Sequence, residues 1–198
     1  MADRPNRRRR GRPARQLAKR ILVVTEGTLT EPQYVERLNS FLRSRGSTAV
    51  VKPVGVGRDP LRVVRKCIEI RDKAVRDDKP FDICVCLVDV DRHEALPSAC
   101  ERAQRESILL LVSNVKFEMW LRWHAEGNRS ALTSAQLDQR TAKLGLVNNK
   151  MLSLSFPFHQ VGEACEIGYR ADPELRAGRV GPDPSSAMPV LVDLLSDR

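Results

Sequence analysis

Four short apolar or β-branched runs, each followed by a helical pattern, constrain the fold of this chain more than any other feature. They are Ile21 to Thr25, Thr48 to Val54, Phe81 to Val88 and Ile108 to Val112. Continuous apolar strands are buried on both faces, and their alternation with helices argues a parallel sheet covered on both sides. The third run, FDICVCLV, is almost wholly apolar and is expected at the centre. Right-handed crossovers then bring the carboxyl ends of these strands to one edge. The reading is an α/β fold: a parallel sheet of about four strands flanked by helices, with a basic N-terminal arm and a helical C-terminal extension.

The helices carry recognisable ends. Thr30-x-x-Gln33 fits a capping box, with Glu31 and Pro32 in the first turn, and Tyr34, Val35, Leu38, Phe41 and Leu42 follow at helical spacing to Gly46. Asp59 and Pro60 supply an N-cap and a first-turn proline for a second helix with Leu61, Val64, Ile68 and Val75 on one face. A third helix is expected near Pro97 to Glu106. A fourth contains Phe117, Trp120, Leu121 and His124. Beyond residue 130 the chain reads as helical and irregular, with Gly178 to Pro189 as a loop before a last helix from Val190 to Leu195.

Charge divides the chain in two. Nine of its 34 basic residues and one of its 25 acids fall in the first twenty positions, so that segment carries +8 and the remainder +1. A histone-like protein, cationic over its whole surface, is excluded. Residues 1–19 have almost nothing to bury and are expected as a disordered arm, leaving 20–198 as one domain. Arg7, Arg8, Arg9, Arg10, Arg12 and Arg15 of the arm are candidate contacts to nucleic-acid phosphates.

No stretch approaches the roughly 18 apolar residues of a membrane span, and no apolar segment follows the arginines as in a secretory signal. Five irregularly spaced cysteines without a C-x-x-C pair suggest neither disulfides nor structural zinc, and Cys84 and Cys86 are expected on one side of a strand as small core residues. The expected compartment is the cytoplasm.

Ligands of parallel α/β sheets bind outside the carboxyl ends of the strands. Three acids fall there: Glu26 after the first strand, and Asp89 and Asp91 after the third. Residues two apart on a strand point to one side, so Asp89 and Asp91 can share a cation. Mg²⁺ suits a few carboxylates plus water and phosphate oxygens. Glu26 can manage a proton or hold a second metal. The plain alternative is that the D-x-D pair caps the next helix or stays solvated. A haloacid-dehalogenase-type phosphatase would carry the pair after its first strand, and a D-x-D glycosyltransferase would need a longer chain.

The order of these features resembles the Toprim arrangement, and more closely the RloB family of bacterial abortive-infection proteins. The residues concerned are Ile21 to Gly27 with Thr30-Glu31-Pro32-Gln33-Tyr34, Gly57-x-x-Pro60, Val88-Asp89-Val90-Asp91, Ser113-Asn114-x-x-Phe117-Glu118-x-Trp120-Leu121, and Pro184-Ser185-Ser186. The resemblance implies a Toprim-like fold, Mg²⁺- or Mn²⁺-dependent chemistry on nucleic acid, a role in anti-phage defence, and an RloA-type ATPase as partner. Glu26 matches the Toprim glutamate, Asp89 and Asp91 the metal pair, and Asn114 and Glu118 a Ser-Asn-Pro-x-Phe-Glu-x-Trp segment. Val115 stands where that segment has proline.

The resulting expectation is metal-dependent phosphodiester cleavage of DNA or RNA. Asp89 and Asp91 hold Mg²⁺ or Mn²⁺, Glu26 moves the proton, and Glu118 serves as a further ligand or supporting acid. His93 is placed to contact phosphate, or is a solvated loop histidine. Trp120 reads as packing rather than a base-stacking platform. Tyr34, on an apolar helix face, is disfavoured as a topoisomerase-type nucleophile. The competing class is a non-catalytic nucleic-acid-binding or scaffold subunit acting with an ATPase.

Overall fold

A computed structural model describes residues 18–57, 59–90 and 94–196. Its first half alternates as the sequence predicts: β1 (Arg20–Thr25), α1 (Thr30–Arg43), β2 (Val50–Gly55), α2 (Pro60–Arg76), β3 (Ile83–Asp89), α3 (Leu96–Arg105), β4 (Leu109–Asn114) and α4 (Phe117–Arg122). These four strands run parallel in the order β2-β1-β3-β4. The apolar third run is central, as expected. A fifth strand, β7 (Ser185–Ser186), joins the outer side of β4 antiparallel, with Ser113 opposite Ser186. The segment 178–189, expected as a loop, therefore contributes a strand.

Strand period two sorts the buried side chains into two cores. Leu22, Val24, Cys84, Cys86, Val88, Leu110 and Val112 face α2 and α3, where Val63, Val64, Cys67, Leu96 and Ala99 cover them. Contact with Cys67 and burial push the Cys84 thiol far above its usual range, so it stays neutral as a small core group. Ile21, Val23, Val85, Leu87 and Leu111 face the other way, against Tyr34, Val35 and Leu38 of α1.

The C-terminal extension completes this second core. It comprises α5 (Ser134–Lys143), the hairpin β5 (Val147–Asn148) and β6 (Met151–Leu152), α6 (Val161–Ala171), β7 and α7 (Met188–Leu195). At its centre Tyr34 is ringed by Phe117, Trp120, His124, Phe156 and Phe158 at centroid distances of 5.3–6.3 Å. Trp120 is fully buried, which bears out packing over base stacking, and buried Tyr34 bonds to His124 at 3.1 Å. No helix of the described residues is long and apolar enough to cross a membrane.

Several local expectations are corrected. The Thr30–Gln33 capping box does not form: the Thr30 hydroxyl donates to Lys150 O (2.8 Å), and the Gln33 side chain accepts from Leu152 N–H (3.0 Å). Contacts to the β5–β6 hairpin, 118 or more residues away, outcompete the local pairing. A capping box exists instead at Thr133 and Gln136 of α5. Asp59 caps α2 as expected, accepting from Arg62 N–H. Val75, expected on the apolar face of α2, is 57% exposed, and the α2 side chains that pack on the core end at Ile70. α4 ends at Arg122, so His124 follows it and turns into the aromatic core.

Candidate active site

Strand order fixes where a ligand belongs in this fold. The chain passes from β1 outward to β2, then crosses back beyond β1 to β3, so the connections leave in opposite directions at the β1–β3 boundary. Such a switch point opens a crevice at the carboxyl ends of the two strands. Glu26 follows β1 there, and Asp89 ends β3.

Glu26 is held on both sides. Its N–H donates to Leu87 O (3.0 Å), its carbonyl accepts from Gly57 N–H (2.8 Å), and its carboxylate accepts the Asp89 N–H (3.2 Å). The first turn of α1 brings a second glutamate into the crevice. The Glu31 carboxylate accepts the Gly27 N–H at 3.0 Å, lying where a side chain on residue 27 would sit. Glu118, in the first turn of α4, supplies another carboxylate from beyond β4 and lies 3.6 Å from Lys116. Lys116 also donates to Asp138 of α5 at 2.7 Å.

Gly27, Glu31, Asp89, Lys116, Glu118 and Lys150 line parts of a cavity of about 580 Å³ at this edge. Burial raises the Asp89 carboxyl well above the ordinary carboxylate range, and Glu31, Glu118 and Glu26 add to the shift while Lys116 opposes it. Burial likewise raises Glu31, with Glu118 and Glu26 contributing. For Lys116 burial acts downward, but Asp138, Glu118 and Asp89 together hold its ammonium above the usual range. Asp89, Glu31, Glu118 and Glu26 thus crowd together, with Lys116 and Lys150 as the cations of the lining, an arrangement that favours a cation or a proton between the carboxylates.

The donor set is all hard oxygen, which suits Mg²⁺ or Mn²⁺. Among the described residues no three of His, Cys, Asp and Glu are grouped to cage an ion. Mg²⁺ commonly takes one or two carboxylates and completes its shell with water and phosphate, so the residues present fit Mg²⁺ better than an all-protein site.

Glu26, Asp89 and Glu118 are therefore brought to one edge. Asn114 is not part of the lining: its side-chain amide donates to Gly181 O (3.1 Å), tying β4 to the C-terminal segment. Asp91, His93 and the arm residues Arg7, Arg8, Arg9, Arg10, Arg12 and Arg15 lie outside the described residues. Glu31 and Lys116 were not among the expected site residues. Glu31 read as a favourable first-turn acid, although a glycine four residues earlier left room for its carboxylate. Nothing local singles out Lys116, whose partner Asp138 is 22 residues away.

Gly55 holds the crevice from below. A Cβ there would lie 2.6 Å from Thr28 Cα and 2.8 Å from Gly27 O, both backbone atoms that cannot swing aside. Gly55→Ala is expected to displace the 26–28 loop and cost about 1–3 kcal/mol in urea unfolding. An unchanged midpoint would show the loop to be free to move.

No curated protein matches the chain. A family model described as RloB-like protein matches residues 21–195, which takes in every element from β1 to α7 and all four crowded carboxylates, and the chain belongs to this RloB-like family.

Proposed function

We propose that this protein is a Toprim-type, metal-dependent nuclease of bacterial anti-phage defence, hydrolysing phosphodiester bonds. The observation that carries the reading is the convergence of Glu31, Asp89 and Glu118 on a cavity at the switch point of the sheet, with Lys116 among them and Glu26 held beside Asp89 by the Asp89 N–H. Defence and an RloA-type ATPase partner are drawn from the family resemblance alone.

Asp89, with Glu31 or Glu118, would hold Mg²⁺ or Mn²⁺; a metal bound there supplies charge neutralisation on the phosphate and a more acidic water. Lys116, fixed by Asp138, offers its remaining protons to a phosphate oxygen and stabilises the charge that builds up as water attacks phosphorus. Glu26, oriented by the Asp89 N–H, accepts the proton lost by that water. The new P–O bond forms as the leaving oxygen departs, and that oxygen takes a proton from solvent.

The test is cleavage of labelled DNA and RNA with Mg²⁺ or Mn²⁺ by wild type, Asp89→Ala and Glu26→Ala. Wild-type cleavage that drops at least ~100-fold in each variant is the expected result. Cleavage that persists in both variants removes the assignment. Absence of cleavage by wild type, with an ATPase partner present, leaves the non-catalytic binding or scaffold role.

A further inference from the structure

A second charged feature lies at the opposite edge of the sheet. α2 runs back across the strands, so its last turns return to the level where β1 and β3 begin. There Arg20, Lys52, Lys66, Lys73 and Lys79 line a groove of about 420 Å³, against Glu69 and Asp77. Glu69 is engaged by Lys66 at 2.9 Å, whereas Lys52, Lys73 and Lys79 are exposed and make no ion pair among the described residues. Lys52 is in register with Leu22 and so stands on the α2 face of the sheet, which carries this lysine from the edge strand toward those of the helix.

Two further observations indicate what the groove receives. The Arg20 guanidinium lies 5.2 Å from the centre of the Phe81 ring, a flat cation–aromatic pair within the basic lining. Residues 1–19, seven of them arginine, join the chain at Arg20, on the groove itself. Both features suit a polyanion carrying flat bases.

We infer that this groove is a binding site for the phosphate backbone of a nucleic acid, separate from the acidic cavity. β1 spans about 17 Å from Arg20 to Thr25 at ~3.3 Å per residue, so groove and cavity occupy opposite ends of the sheet. The groove holds the polymer where the protein is positive, and leaves the acidic edge free to meet a single phosphate. The inference rests on the nucleic-acid partner in the function proposed above, and its test reads binding rather than cutting.

The experiment compares the full-length protein with the triple variant Lys52→Gln, Lys73→Gln, Lys79→Gln. Anisotropy of labelled single-stranded DNA and RNA is followed as salt is raised. Loss of three phosphate contacts should lower the slope of log affinity against log salt by about 2, at ~0.7 per contact. Affinity at low salt should fall by roughly ten- to a hundredfold. The matching triple Lys→Arg variant should keep the wild-type slope. A set of exposed cations elsewhere, Lys143→Gln, Arg170→Gln and Arg176→Gln, should leave it unchanged, and thermal melts establish that each variant is folded.

An unaltered slope in the groove variant, or an equal loss in the control set, overturns the inference while leaving the nuclease reading standing. Competition by polyglutamate as effective as by unlabelled oligonucleotide overturns it in favour of an acidic protein partner. Failure of wild type to bind nucleic acid overturns both.

Discussion

Asp89→Asn is expected to yield a protein that unfolds at a higher temperature than wild type at neutral pH and no longer cuts. Asp89 ends the central strand facing Glu31, Glu118 and Glu26, and burial together with these like charges raises its carboxyl well above the usual range. An amide of the same shape removes one of four crowded charges without opening a cavity. Relief of that repulsion is expected to add on the order of 1 kcal/mol, a gain typical of changes at strained functional sites. If Asp89 holds the metal as proposed, the same change removes a hard oxygen donor and should abolish metal-dependent chemistry.

Mg²⁺ separates the two halves of this expectation. In wild type the ion should raise the melting temperature, by the equivalent of about 2.7 kcal/mol at a hundredfold excess over its dissociation constant. In Asp89→Asn most of that response should vanish. A variant less stable than wild type without metal would mean that Lys116 already balances the cluster, and would remove the argument for a cation there.

Acidification is expected to expose a second large effect, in the aromatic core. His124 is buried, with Nδ1 bonded to Trp120 O and Nε2 to the Tyr34 hydroxyl, both at 3.1 Å. A carbonyl can only accept, so Nδ1 carries the hydrogen and the Tyr34 O–H donates to Nε2. Burial lowers the histidine from 6.5 to about 4. The unfolded chain therefore binds more protons between these values, and stability falls as pH drops through that window. The loss amounts to about 3 kcal/mol, complete near pH 4.

Glu31 and Asp89 work in the opposite sense. Their raised folded-state values mean that the native protein gains protons first on acidification, which recovers stability. Urea unfolding of wild type alone would read the sum of these terms. The informative quantity is the difference from His124→Gln, which cannot titrate: the gap between the two curves should change by about 3 kcal/mol from pH 7 to 4. Parallel curves would show that His124 is no more buried in the native state than in the unfolded one.

The half of the molecule that was legible in the sequence is the half built by local pattern. β1, β3 and β4 are apolar runs in the sequence, and the carboxyl ends of β1 and β3 place Glu26 and Asp89. The illegible parts are long-range. Ser185 and Ser186 have no strand propensity and sit between Pro184 and Pro189, yet they pair with Asn114 and Ser113 because β4 has an unoccupied edge there. Thr30 and Gln33 have the spacing of a cap, but the hairpin at Lys150 and Leu152 claims both. Lys116 is a loop lysine until α5 folds over it and Asp138 fixes its ammonium.

The two ends of the sheet have a consequence for how this protein can assemble. On β2, Val50 N–H bonds to Lys19 O and Val56 N–H to Thr25 O, so the even-numbered donors face β1 and the odd ones face outward. Pro53 occupies one of those outward positions and has no N–H to give, and Gly55, at another, lies tight against Thr28. At the far end Gly178 and Ala187 donate to Leu110 and Val112 on either side of the two-residue β7, so the margin of β4 is already spoken for. Among the described residues, Pro53 on one margin and the cover over β4 on the other shorten the ladder that a second copy could extend. Self-association or docking to a larger machine is thereby biased toward helical faces and side chains and away from sheet-to-sheet fusion.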